Sequence, residues 1–135
     1  MFKSLVTMCT IAMLATAACA SLALPPPTPS PDPHALQRAR DKIAFDLDQI
    51  GEDGMIGPAG GKRLVAYEFC IPQEQAKRDE VKAIDPSLKF YAGTPGRIRC
   101  RRDQYLCIGE GGTRDVLLKL ASLDYVERIE PFYGE

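Results

Sequence analysis

At 135 residues, with 17 Lys and Arg against 18 Asp and Glu, the chain carries a formal net charge of -1. Such balance supplies no basic stripe to neutralise phosphates, so nucleic acid is not an expected partner. The length leaves room for one small domain with one core.

Residues 1–20 read as an export signal. Lys3 precedes an apolar run over residues 5–18, which ends in the small cluster Ala17, Ala18, Cys19, Ala20. Charge, apolar core and small-residue site follow in the order of a cleaved signal, and the run is shorter than the roughly 20 residues a membrane-crossing helix needs. Ala18-Cys19-Ala20 fits release after Ala20. Lipidation at Cys19 is the alternative, with Thr16 standing where lipoprotein signals carry an aliphatic residue. The expected location is periplasmic or extracellular, with membrane attachment only through a lipid on Cys19.

Residues 21–34 form a linker, whose LPPPTPSPDP core favours extended polyproline geometry and acts as a spacer. Residues 35–61 are expected to hold an amphipathic helix and a glycine-rich loop. Leu36, Ala39, Ile43, Leu47 and Ile50 recur at helical spacing, and Asp32-Pro33 forms a cap and first-turn pair. The spacing predicts a helix over residues 34–50, loosely docked as a satellite. GEDGMIGPAGG then separates it from the main block.

Residues 62–135 carry the denser pattern. In RLVAYEFCI, Val65, Tyr67, Phe69 and Ile71 share one face of a strand, and Leu64, Ala66, Glu68 and Cys70 take the other. Pro72 is expected to open a helix reaching Asp85, with Val81, Ile84 and Leu88 on one side and Pro86 stopping it. Residues 88–92 read as a second strand, residues 93–104 as a long hairpin connection, and residues 105–109 as a third strand. Val116, Leu117, Leu120 and Leu123 mark a second helix over residues 114–125, and residues 126–131 close as a strand. The order βαββαβ predicts an α+β, ferredoxin-like sandwich, with helices on one sheet face and the other face open.

Five cysteines are encoded, of which Cys9 and Cys19 belong to the signal. Cys70, Cys100 and Cys107 remain as disulfide candidates in an exported domain. Strand parity is read as placing Cys70 and Cys107 on the same open face; the rival bridge is Cys100 to Cys107. Either choice leaves one thiol over. Three scattered cysteines and a lone His34 do not make a metal site, and no cofactor is expected.

Asp46 and Asp48 resemble the start of an EF-hand loop, but Ile50 and Gly57 stand where oxygen donors belong. Residues 51–61 lack the ending of a phosphate loop. No cysteine is flanked by a base and Asp79 and Glu80 fall on an exposed helix side, so no enzymatic activity is expected. Arg97, Arg99, Arg101 and Arg102 form the one sharp charge cluster. An acidic partner, an anionic surface or a phosphate can use it, against the plainer reading of a solvated hairpin edge that resists aggregation.

The closing stretch VLLKLASLDYVERIEPFYGE resembles the end of the I9 family of subtilase propeptides and their stand-alone inhibitor relatives, and RLVAYEFCI is similar to that family's opening strand. YEFCIP and DQYLCIG also resemble a family of small exported bacterial proteins of unknown role. The I9 resemblance implies that the open sheet face lies on a subtilisin-type protease and the C-terminal tail enters its cleft. Leu64, Ala66, Glu68 and Tyr105 would then touch the enzyme, and Phe132, Tyr133, Gly134 and Glu135 would occupy the cleft. The three cysteines and the arginine hairpin depart from that pattern. The sequence thus predicts a monomeric, exported, non-enzymatic protein-binding module, with a thiol-active or disulfide-stabilised envelope protein as the alternative.

Overall fold

A computed structural model describes residues 24–26, 30 and 32–134; the expected export signal and Glu135 lie outside the described residues. Helix α1 runs over Pro33–Asp41, with the Asp32 side chain accepting from the His34 amide and proline in the first turn. It is much shorter than the sequence predicts. After Asp41 the chain turns extended at Ile43, which bridges in parallel to Ile129, and the Ala44 amide donates to the Ile129 carbonyl at 2.9 Å. Asp46 then caps a single 3-10 turn over Leu47–Gln49. A β-branched residue at position 43, and an aspartate at 46 whose side chain accepts from the Asp48 amide, favour that break over continued helix.

Nor is this segment a loosely docked satellite. Ala39, Ile43, Leu47 and Ile50 are buried in the same apolar core as the sheet. Lys42 Nζ donates to the Leu123 carbonyl at 3.0 Å and Arg114 Nε to the Leu47 carbonyl at 3.2 Å. The two ties bind the segment to the start of the last helix and to the turn that follows it.

A two-stranded antiparallel ribbon follows, β1 (Met55–Ile56) with β2 (Arg63–Leu64). The main block comprises β3 (Ala66–Pro72), α2 (Gln75–Ile84), β4 (Lys89–Ala92), β5 (Gln104–Glu110), α3 (Arg114–Ala121) and β6 (Ile129–Pro131). Pro72 ends the strand rather than opening the helix, and α3 stops short of the expected Tyr125. The class is α+β. One antiparallel sheet has the order β4-β5-β3-β6.

Alternation along β3 decides what the sheet buries. Tyr67, Phe69 and Ile71 are fully enclosed and pack with Val81 of α2 and Leu117, Leu120 and Ala121 of α3. Removing each such side chain from water stabilises the fold by about 1.5–3 kcal/mol. The Tyr67 ring is seated by two glycines, since a Cβ on Gly109 would fall 2.4 Å from Tyr67 Cζ and one on Gly112 2.7 Å from Cε1. Its hydroxyl donates to Asp85 Oδ2, and burial raises the phenol far above its usual range.

The register overturns both expected disulfides. Phe69 stands opposite Cys107 and Cys70 opposite Leu106. Cross-strand partners share a face, so Cys107 sits on the helix-covered side with Phe69, while Cys70 sits on the other. The bond observed is Cys70–Cys100, with Cα atoms 5.5 Å apart. Cys107 is the free, buried thiol among the described residues.

Candidate protein-binding surface

The sheet face away from the helices carries Glu68 and Cys70 from β3, Leu106 and Ile108 from β5 and Tyr91 from β4. It is only partly open. Residues 93–103, between β4 and β5, fold back over it, and Ile98 and Cys100 form a small second core with Leu106, Cys70 and Ile108. Besides the disulfide, Arg128 Nη2 donates to the Ile98 carbonyl at 2.6 Å and Glu68 Oε1 accepts from the Ile98 amide at 2.9 Å. The Gln104 side chain closes the base of the loop by accepting from the Arg101 amide at 2.9 Å.

Glu68 is 1% exposed, so it offers almost no surface of its own to a partner. Burial pushes its carboxyl above the usual carboxylate range; the amides of Ile98 and Arg97 and the Arg97 charge oppose that shift, and Glu130 adds to it. Oε2 has no hydrogen-bond partner among the described residues. Glu68 therefore fastens the covering loop from below.

Beside that loop lies an apolar cleft of about 400 Å³, walled by Leu106, Ile108, Tyr91, Phe132 and Tyr133, with Glu68, Gly96 and Arg97 along one side. A second cleft, of about 270 Å³, lies between the β1–β2 ribbon and the tail, lined by Phe45, Ile56, Leu64, Ala66 and Phe132 among others. The tail separates the two. Its Phe132 amide donates to the Ala66 carbonyl at 2.9 Å, extending the β6–β3 pairing by one bond, and Tyr133 beyond it is 54% exposed. Phe132, Tyr133 and Gly134 are thus brought together with Leu64 and Ala66.

Tyr105 does not join them. Its partner across the sheet is the core residue Ile71, so it lies on the helix side, edge-on to Phe90 at 6.2 Å, with the Arg78 guanidinium 5.8 Å from its ring. The arginines also divide. Arg97 lines the apolar cleft, whereas Arg99 and Arg101 line a polar notch with Arg128 and Glu127. Arg101 pairs with Glu127 at 3.4 Å and Asp103 at 3.5 Å. Arg102 is exposed and lines neither.

Sequence reasoning missed Leu106, Ile108 and Tyr91 as surface formers and Arg128 as a loop tie. The signal available for the first two was parity: once Cys107 shares the Phe69 face, Leu106 and Ile108 must share the other.

Among the described residues, no group of three or more His, Cys, Asp or Glu is placed to hold a metal ion, and no helix is long and apolar enough to cross a membrane. No family model, curated protein or solved structure matches this chain.

Proposed function

We propose that this chain is an exported, non-enzymatic module that binds a partner protein through its C-terminal tail and the two clefts flanking it. The supporting observation is the position of Phe132 and Tyr133, which line both apolar clefts while the backbone at Phe132 is held by Ala66. A tail anchored by strand pairing presents its side chains with little left to order, which lowers the entropic cost of association. The strand order β4-β5-β3-β6, with the two crossover helices on one face, fits a ferredoxin-like sandwich.

The most specific version, carried by the I9 resemblance, is inhibition of a subtilisin-type protease by tail insertion. Titrating a subtilisin-type protease with the full chain tests it. Stoichiometric inhibition that disappears on deletion of residues 132–135 supports the tail mechanism; an intact chain that leaves the protease active removes it.

A second reading, a disulfide-stabilised or thiol-active envelope protein, is favoured by the Cys70–Cys100 bond, a type of crosslink that persists in oxidising compartments. It is compatible with export and with the first reading.

A further inference from the structure

The Cys70–Cys100 bond opens onto a polar notch of about 230 Å³, to which Cys70, Arg99, Arg101, Arg128 and Glu127 all contribute. Cys70 is partly exposed, whereas Cys100 is 8% exposed beneath the loop. Three guanidinium groups line it with Glu127, while Asp103 pairs with Arg101 at 3.5 Å and Glu130 with Arg128 at 3.2 Å. Arg99 also holds φ at 63°, the one non-glycine residue with positive φ among the described residues, immediately before Cys100. That backbone is disfavoured for a residue with a Cβ and is held by the structure around it.

We propose that this notch is a thiol–disulfide exchange site, at which a dithiol reductant opens the Cys70–Cys100 bond in the folded protein and releases residues 93–103 from the sheet. The inference deepens the thiol reading above and does not depend on protein binding. A thiolate of the reductant attacks Sγ of Cys70, the cysteine that lines the notch, forming a mixed disulfide as the S–S bond breaks. Cys100 Sγ leaves as a thiolate flanked in the chain by Arg99 and Arg101, then takes a proton from solvent. The second thiol of the reductant attacks the mixed disulfide, giving a Cys70 thiol and an oxidised reductant. Two electrons and two protons have passed to the protein.

Two features make the exchange self-contained. Arg99 and Arg101 flank Cys100 in the chain; nearby positive charge favours a departing thiolate, and a better leaving thiolate departs faster. Cys107 cannot intercept the intermediate, because it faces the helices on the opposite side of the sheet and burial pushes its thiol up to about 12. The reduced pair therefore re-forms only the original bond. Loop release removes Ile98 and Cys100 from Leu106 and Ile108 and uncovers the Glu68 carboxyl.

The test first alkylates any accessible free thiol of the full oxidised chain, Cys9 and Cys19 included, then adds dithiothreitol under native conditions and counts newly exposed thiols by maleimide mass tagging. Hydrogen exchange is followed in parallel. Two thiols, Cys70 and Cys100, are expected to become reactive while Cys107 stays silent. Exchange should rise at the Ile98, Cys100 and Arg101 amides but not at Phe69 or Leu106. Arg101→Gln should slow reduction about threefold, and Glu127→Gln should speed it about threefold, as a change in the leaving thiol's acidity requires. These variants break the same ion pair, so mere loosening would move both rates in one direction, and that result overturns the proposal. Reactivity of Cys107 in step with the other two overturns it as well, since reduction would then proceed through global unfolding. In either case the disulfide-stabilised reading survives, because it rests on the bond and not on its exchange.

Discussion

Tyr67, at the centre of the sheet, donates its hydroxyl to Asp85, the residue that ends α2, and so joins strand to crossover helix inside the core. Asp85 Oδ1 in turn accepts from the Ser87 amide at 2.8 Å and shapes the turn into β4. One carboxylate thereby terminates a helix and holds the central aromatic ring.

Tyr67→Phe keeps the ring and removes one partner of a buried carboxylate. A loss of about 1–3 kcal/mol is expected, the cost of leaving such a group under-satisfied. Gly109→Ala acts on the same ring from the other side, where the new methyl overlaps Tyr67 Cζ, and overpacking of this kind costs about 1–3 kcal/mol. Urea denaturation of both variants checks this pair; a Tyr67→Phe protein as stable as the parent would show that solvent already satisfies Asp85.

The disulfide spans 30 residues. Replacing both Cys70 and Cys100 by alanine restores that loop's freedom to the unfolded chain and should cost about 3–4 kcal/mol. Equilibrium unfolding of the double variant measures it. A difference below about 1 kcal/mol would mean that the reduced unfolded chain keeps this loop compact or that the bond strains the native fold.

Glu68 gives the fold a pH dependence of unusual sign. Its carboxyl titrates above the ordinary 4.5 in the folded protein, so between that value and the raised one the native state binds more protons than the unfolded state. Stability contributed by this group therefore falls as pH rises through the window, opposite to a salt-bridged carboxylate. Thermal unfolding of the parent and of Glu68→Gln across that range should show the parent gaining relative to the variant as pH falls. Parallel profiles would remove the assignment.

Cys107, enclosed at the Phe69 face, should resist alkylation in the oxidised native protein at pH 8 and react once urea unfolds the chain. Rapid native labelling would place it at an accessible position, contrary to its burial.

How far the sequence could be read varied with how many faces each segment buries. β3 was legible because Val65, Tyr67, Phe69 and Ile71 point to one core. β5 was legible as a strand but not in its facing: Leu106 and Ile108 are as apolar as Tyr105 and Cys107 on the other side, because the folded-back loop covers the outer face too. With alternation blurred, a one-residue error in parity sent Tyr105 and Cys107 to the wrong side and with them the disulfide. The short α1 was obscured differently. Ile43, Leu47 and Ile50 keep helical spacing, yet they reach the core from an extended bridge and a single 3-10 turn, and only the pairing with Ile129 distinguishes those conformations. Of the candidate surface, Phe132 and Tyr133 were legible as a tail; the loop that narrows the sheet face depends on a bond between residues 30 apart.

The bridge from Ile43 to Ile129 also makes the two borders of the sheet unequal. The segment around Ile43 covers the outer side of β6, while the outer side of β4 has no strand beside it among the described residues. A sheet that can be extended from one side only cannot propagate. Pairing β4 with β4 of a second copy through this sheet is self-limiting and ends at two molecules.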